Sequence, residues 1–143
     1  MNNDTHIKIK KILDYVYPDC YSIKDIFDSE VDLTIVSIVI TPTPQSEYIK
    51  SLQTLFQQII TDTSVCIDIN NNVISEIEKI KEDVYVYAQK AKYFNKPIDL
   101  PPQNAFVRKI THGYINKKLN LKSESVGVGR DRHIVIHPIV ASE

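Results

Sequence analysis

Glycine is scarce in this chain: there are three in 143 residues, and none precedes Gly113. The first hundred residues therefore hold no glycine loop that lets nucleic-acid backbone approach peptide amides, and no P-loop. Two cysteines, Cys20 and Cys66, lie far apart without CxxC spacing, which reads as reduced thiols of a cytosolic protein. No window reaches about 18 uncharged apolar residues, so no transmembrane helix is expected. The opening MNNDTHIKIKKILDY intersperses basic with apolar residues and lacks the apolar region of a secretory signal. A nucleophile elbow and HExxH are also missing, and the acidic pairs Glu76/Glu78 and Glu82/Asp83 fall on a helix whose charged face solvation explains. These absences point away from an enzyme, and no cofactor is implied. The length suits one ordinary domain or two very small ones with limited cores.

The formal net charge of −1 conceals a division. Residues 1–100 carry ten lysines against fifteen acids, whereas residues 101–143 carry seven Lys plus Arg against three acids. A polyanion is drawn to the second part only. All three arginines (Arg108, Arg130, Arg132) and all three glycines (Gly113, Gly127, Gly129) lie there as well. Lysine serves everywhere else, so solubility alone does not require arginine, while bidentate grip of phosphate or stacking on a base does.

Along the chain, Ile9, Ile12, Leu13, Val16 and Tyr17 form a helical stripe that Pro18 stops. Residues 20–28 and 31–41 read as strands, the second rich in β-branched residues until Pro42 and Pro44 break it. Tyr48, Leu52, Leu55, Phe56, Ile59 and Ile60 predict an amphipathic helix over residues 47–60. Residues 65–69 alternate as a strand, Asn70-Asn71-Asn72 turn the chain, and residues 73–94 read as a long helix. The order is α-β-β-α-β and then a long helix.

The stretch from Asn104 to Pro138 carries the chemistry. Pro102 and a capping Asn104 start a helix on which Arg108 and His112 stand one turn apart, beside Lys109 and Asn116. Phe106, Val107, Ile110 and Tyr114 form the face expected to pack on a sheet. Gly127-Val128-Gly129 reads as a hairpin turn that delivers Arg130 and Arg132 to a last strand, in which Ile134 and Ile136 share a face and His133, Val135 and His137 point the other way. Spacing alone favours a plain role for the pair, with His112 bracing the neighbouring loop and Arg108 solvated. Arg132 is equally open between an edge-strand charge and a residue that shares the surface of Arg108.

Lys96-Pro97, Pro102-Gln103-Asn104, Arg108 to His112 and Ser125-Val126-Gly127-Val128-Gly129 occur in the order of a known pattern. The stretch resembles the R-three-H domain, and the last 60 or so residues resemble the end of the Jag (SpoIIIJ-associated) family, which joins a KH domain to an R-three-H domain. The resemblance implies an α+β protein: a degenerate type II KH-like lobe over residues 1–75, then an R-three-H-like lobe with a three-stranded sheet over residues 76–143. Ser51 to Phe56 falls where that family has a similar Leu-Gln-x-Leu helix, but the corresponding clamp loop, Thr41 to Ser46, has no glycine. Val107 stands where an acidic or basic residue is common, and His133 where a second strand arginine is common. The second change reduces positive charge at neutral pH.

The resemblance implies that single-stranded RNA, or DNA, is held by Arg108, Lys109, Lys117, Arg130 and Arg132, with His112 positioning backbone or stacking a base and His133 nearby. A metal site from His112, His133 and His137 is disfavoured, because residues four apart on a strand lie about 13 Å apart and no cysteine is near in sequence. The rival expectation is a cytoplasmic adaptor whose KH-like lobe pairs with another KH protein or with itself.

Overall fold

The helical spacing of Ile9 and Leu13 is realised in α1 (Asn3–Val16), where both are fully buried, in a computed structural model that describes residues 3–60, 62 and 64–138. The limits expected for the two lobes at residues 1 and 143 lie outside the described residues. Strands β1 (Tyr21–Asp28) and β2 (Leu33–Ile40) pair antiparallel; α2 (Ser46–Ile59) then crosses over to β3 (Val65–Ile69), which runs parallel to β2. Residues 31 and 32, expected in the second strand, belong instead to the connecting turn, where Asp32 takes a φ of 54°. A long helix, α3 (Asn72–Phe94), leads to a second sheet of β4 (Ile98–Asp99), β5 (Lys122–Val126) and β6 (His133–His137), in the order β4-β6-β5, with α4 (Ala105–Lys117) inserted before β5. The fold is mixed α+β.

Two compact units divide the chain. Met1–Asp28 and Leu33–Ser75 form one; Ser29–Asp32 and Glu76–Glu143 form the other. In the first, one sheet face formed by Val36, Ile38, Ile40, Val65, Ile67 and Ile69 is covered by Ile9 and Leu13 of α1 and Ile49, Leu52 and Phe56 of α2. The stripe of α2 is thus rotated from the expected one. Tyr48 is 60% and Leu55 42% exposed, while Ile49, which the spacing of Leu52 and Phe56 also accommodates, is buried. The polar groups near β3 are matched as well. Gln53 donates from its side-chain amide to the Ile67 carbonyl and the Ile67 amide donates to Gln57 at 3.4 Å, so helix side chains occupy the strand's free edge. Asp68, fully buried, accepts from the amides of Asn71, Val73 and Ile74 at 2.8 to 3.2 Å and thereby caps the start of α3.

In the second unit Ile77, Ile80, Val84, Ala88 and Ala91 of α3 are buried, together with Ile110, Tyr114 and Ile115 of α4 and Ile134, Val135 and Ile136 of β6. Three consecutive buried residues make β6 a strand covered on both faces, as suits the middle strand of its sheet. The alternation expected there holds only at its ends, where His133 and His137 are half-buried. Gly113 has a steric reason: a Cβ would sit 2.7 Å from the Val31 carbonyl oxygen, so the helix approaches that backbone only without a side chain. Cys20 is exposed, and Cys66 is buried with its thiol directed to the Ile67 carbonyl at 3.6 Å. Among the described residues, no helix is long and apolar enough to cross a membrane.

Candidate nucleic-acid interface

Helix α4 begins where the Asn104 side chain accepts a hydrogen bond from the Val107 amide at 3.0 Å. This cap sets the phase of the helix, so Ile110, Thr111, Tyr114 and Ile115 face inward while Arg108 and His112 share a different, half-buried face. Phe106 and Val107, expected on the packed face, are half-buried. Thr111 is fully buried, and its hydroxyl donates to the Val107 carbonyl at 2.7 Å, which removes the cost of enclosing it.

Strand β5 lies against this face through alternate serines. Residues two apart on a strand point to one side, and Ser123 and Ser125 are the half-buried positions of Lys122–Val126. Ser123 Oγ lies 2.6 Å from His112 Nδ1 and donates its own proton to Asn116 Oδ1 at 3.0 Å. Ser125 Oγ accepts from Arg132 Nε at 2.8 Å. Arg108 donates from its guanidinium to the Gln103 carbonyl, and the Gln103 amide donates to the Arg132 carbonyl at 3.4 Å. Arg132 thus stands at the mouth of the sheet, near the helical pair.

Partial burial holds the His112 imidazole below the usual histidine range, and the positive charges of Arg108 and Arg132 lower it further. The neutral ring therefore prevails at physiological pH. Beyond Arg108, Pro102, Gln103, Asn104, Gly129 and Arg130 complete the lining of an open groove of about 450 Å³. The loop carrying Arg130 turns through Gly127, at φ 95°, and a single 3-10 turn over Gly129–Asp131. A side chain at Gly127 would meet the Asp131 carbonyl at 3.0 Å, so this turn needs glycine for space as well as for φ.

Of the residues singled out by sequence, Arg108 and Arg130 line one groove at the start of α4, and Arg108 and Arg132 act by their charge on His112, one turn further along the helix. Lys109 and Lys117 are exposed along the same helix, with Lys117 in its last turn. His133 is engaged elsewhere: its Nδ1 donates to the Asp131 carbonyl at 2.8 Å and its Nε2 lies 3.8 Å from the Asp99 carboxylate. His137 Nε2 is 3.0 Å from Glu124. Each histidine thus has its own partner, and among the described residues no cluster of three or more His, Cys, Asp or Glu is placed to hold a metal. Sequence reasoning passed over Gln103, Ser123 and Ser125 as working parts of the site. The alternating serines of Lys-Ser-Glu-Ser-Val were the available signal for two of them, since a strand offers both to one neighbour.

Residues 75–138 match the family model of the R-three-H domain. A search of the curated proteins finds no match to the chain. R-three-H domains are associated with single-stranded nucleic-acid binding.

Proposed function

We propose that this protein binds single-stranded nucleic acid, RNA in preference to DNA, through the Arg-x-x-x-His surface of an R-three-H-like domain over residues 76–143, without catalysing a reaction. The observation that carries the reading is the convergence of Arg108 and Arg132 on one neutral imidazole, His112, beside the groove that Arg130 also lines. Guanidinium groups suit phosphate because they offer paired donors in a fixed plane. Exposed Lys109 and Lys117 add to the attraction. His133, engaged by Asp131 and Asp99, stands as an outer member of the surface. Residues 1–75 are read as a degenerate KH-like lobe with no nucleic-acid clamp, and the cytoplasm as the site of action. Few phosphate contacts and sparse aromatic residues imply weak binding with little sequence preference.

Titration of labelled RNA and DNA oligomers across salt concentration tests the proposal. Affinity that falls linearly with salt on logarithmic axes supports it, and absence of binding at low salt refutes it.

A second reading is favoured by β1, an edge strand whose Phe27 is 61% exposed, whereas side chains of α2 occupy the other edge, β3. Such an edge suits pairing with another KH-like protein or a second copy, which would make the chain an adaptor. Complex formation that persists when Arg108 and Arg132 are removed is its signature.

A further inference from the structure

The hydrogen-bond chain behind His112 points to the nitrogen that carries the ring proton. Ser123 has a single hydroxyl proton and gives it to Asn116 Oδ1 at 3.0 Å. Its oxygen, 2.6 Å from His112 Nδ1, is then an acceptor, so the neutral ring is protonated at Nδ1. Nε2 is left with a bare lone pair. A phosphate oxygen has no proton to offer it and would be repelled. The charged groups acting on this ring are Arg108, from its own helix, and Arg132, from the segment entering β6; both are donors without acceptor capacity.

A strand whose phosphates lie on Arg108 and Arg132 therefore brings His112 something other than phosphate. On the backbone itself the only group with a hydrogen to donate is the ribose 2′-hydroxyl, which RNA has and DNA lacks. We propose that His112 Nε2 accepts a hydrogen bond from a 2′-hydroxyl, making His112, set by Ser123 and Asn116, the residue by which the site distinguishes RNA from DNA. The inference rests on the nucleic-acid-binding reading above and adds the chemical basis of its preference.

The test compares the full-length protein on three single strands of one sequence: RNA, its 2′-deoxy form and its 2′-O-methyl form. The methyl ether removes the hydroxyl proton but keeps the oxygen, which separates donation from sugar shape. RNA is expected to bind about fivefold more tightly than either, the scale of one hydrogen bond. His112→Ala is expected to erase that ratio while the salt slope stays unchanged, because no phosphate contact is lost. Ser123→Ala, which leaves the imidazole in place, is expected to reduce the ratio by releasing the tautomer. Nitrogen-15 shifts of the histidine ring, read in the free wild-type protein, are expected to show Nδ1 protonated.

A 2′-O-methyl strand that binds as well as RNA, an RNA preference that survives His112→Ala, or a ring protonated at Nε2 overturns the inference. Equal binding of all three strands overturns it too, while leaving nucleic-acid binding intact. No binding of any strand at low salt overturns both.

Discussion

The two units reach stability by similar means and differ in how they use polar groups. The first has no arginine and no glycine, and its five lysines face eight acids; the second has twelve Lys plus Arg against ten acids. Net charge therefore separates them only modestly. Placement separates them far more, because the acids of the second unit fall mainly on Ser29–Asp32 and α3, and its arginines around the start of α4. In the first unit, a conspicuous buried polar residue, Asp68, directs its hydrogen bonds to backbone amides that start α3. In the second, Ser123, itself bonded to Asn116, and Ser125 direct theirs to His112 and Arg132, side chains that remain partly or fully open to solvent. Polar groups that satisfy backbone stabilise a fold, and polar groups that orient other side chains prepare a surface.

Removing both guanidiniums should break the comparison most completely. Arg108→Ala with Arg132→Ala is expected to lower oligonucleotide affinity at least tenfold and to flatten the salt slope by about two, one for each lost phosphate contact. Replacing Lys8 and Lys24 of the first unit should leave both quantities unchanged. Fluorescence anisotropy across a salt series reads each. Arg108→Lys should recover only part of the loss, since the fork of donors is gone.

Stability offers the next contrast. Asp68→Ala is expected to destabilise the protein by about 2 kcal/mol, the range of a lost cap and charge-assisted hydrogen bonds. Oligonucleotide affinity of the folded fraction should not change. Gly113→Ala is expected to cost about 1–2 kcal/mol, because the new Cβ meets the Val31 carbonyl and close-packed surroundings must shift. Urea denaturation measures both, and a stabilised Gly113→Ala protein would show that Val31 yields freely.

The pH response should be smaller still. The folded state disfavours protonated His112, so its stability is complete above the unfolded histidine value, about 6.5, and declines as pH falls through that value because the unfolded chain takes up the proton first. His112→Gln should flatten this acid limb in thermal unfolding. Least of all, Lys117→Ala, which removes an exposed charge in the last turn of α4, is expected to change affinity by less than about twofold at physiological salt.

Periodicity made most of the architecture legible in advance. The β-branched run of Leu33–Ile40, the alternation of Val65–Ile69 and the stripe of α3 each carry enough apolar spacing to declare their element and its extent within a few residues. Asn70 and Asn71 turn the chain with φ of 53° and 65°, and Asp19, Asp32, Asn95 and Asn120 adopt the same region. Asparagine and aspartate therefore take the left-handed positions that a glycine-poor chain still requires. The rotation of α2 was not legible, since Tyr48 and Leu55 fit the helical period as well as Ile49 does. Periodicity defines a stripe, and the neighbouring sheet selects its centre.

The sequence by itself determined which chemistry is available: an Arg-x-x-x-His helix with its capping asparagine, and a glycine turn that brings further arginines to a last strand. Those features are local, carried by residues within one or two turns of each other, where backbone geometry dictates the relation. Only the tertiary structure decided that Arg132 joins Arg108 at His112, that His133 turns to Asp131 and Asp99 instead, and that Ser123 fixes the imidazole. His112 and Ser123 are 11 positions apart, His112 and Arg132 20, and His133 and Asp99 34, and strand pairing against β6, with helix packing, is what brings them close.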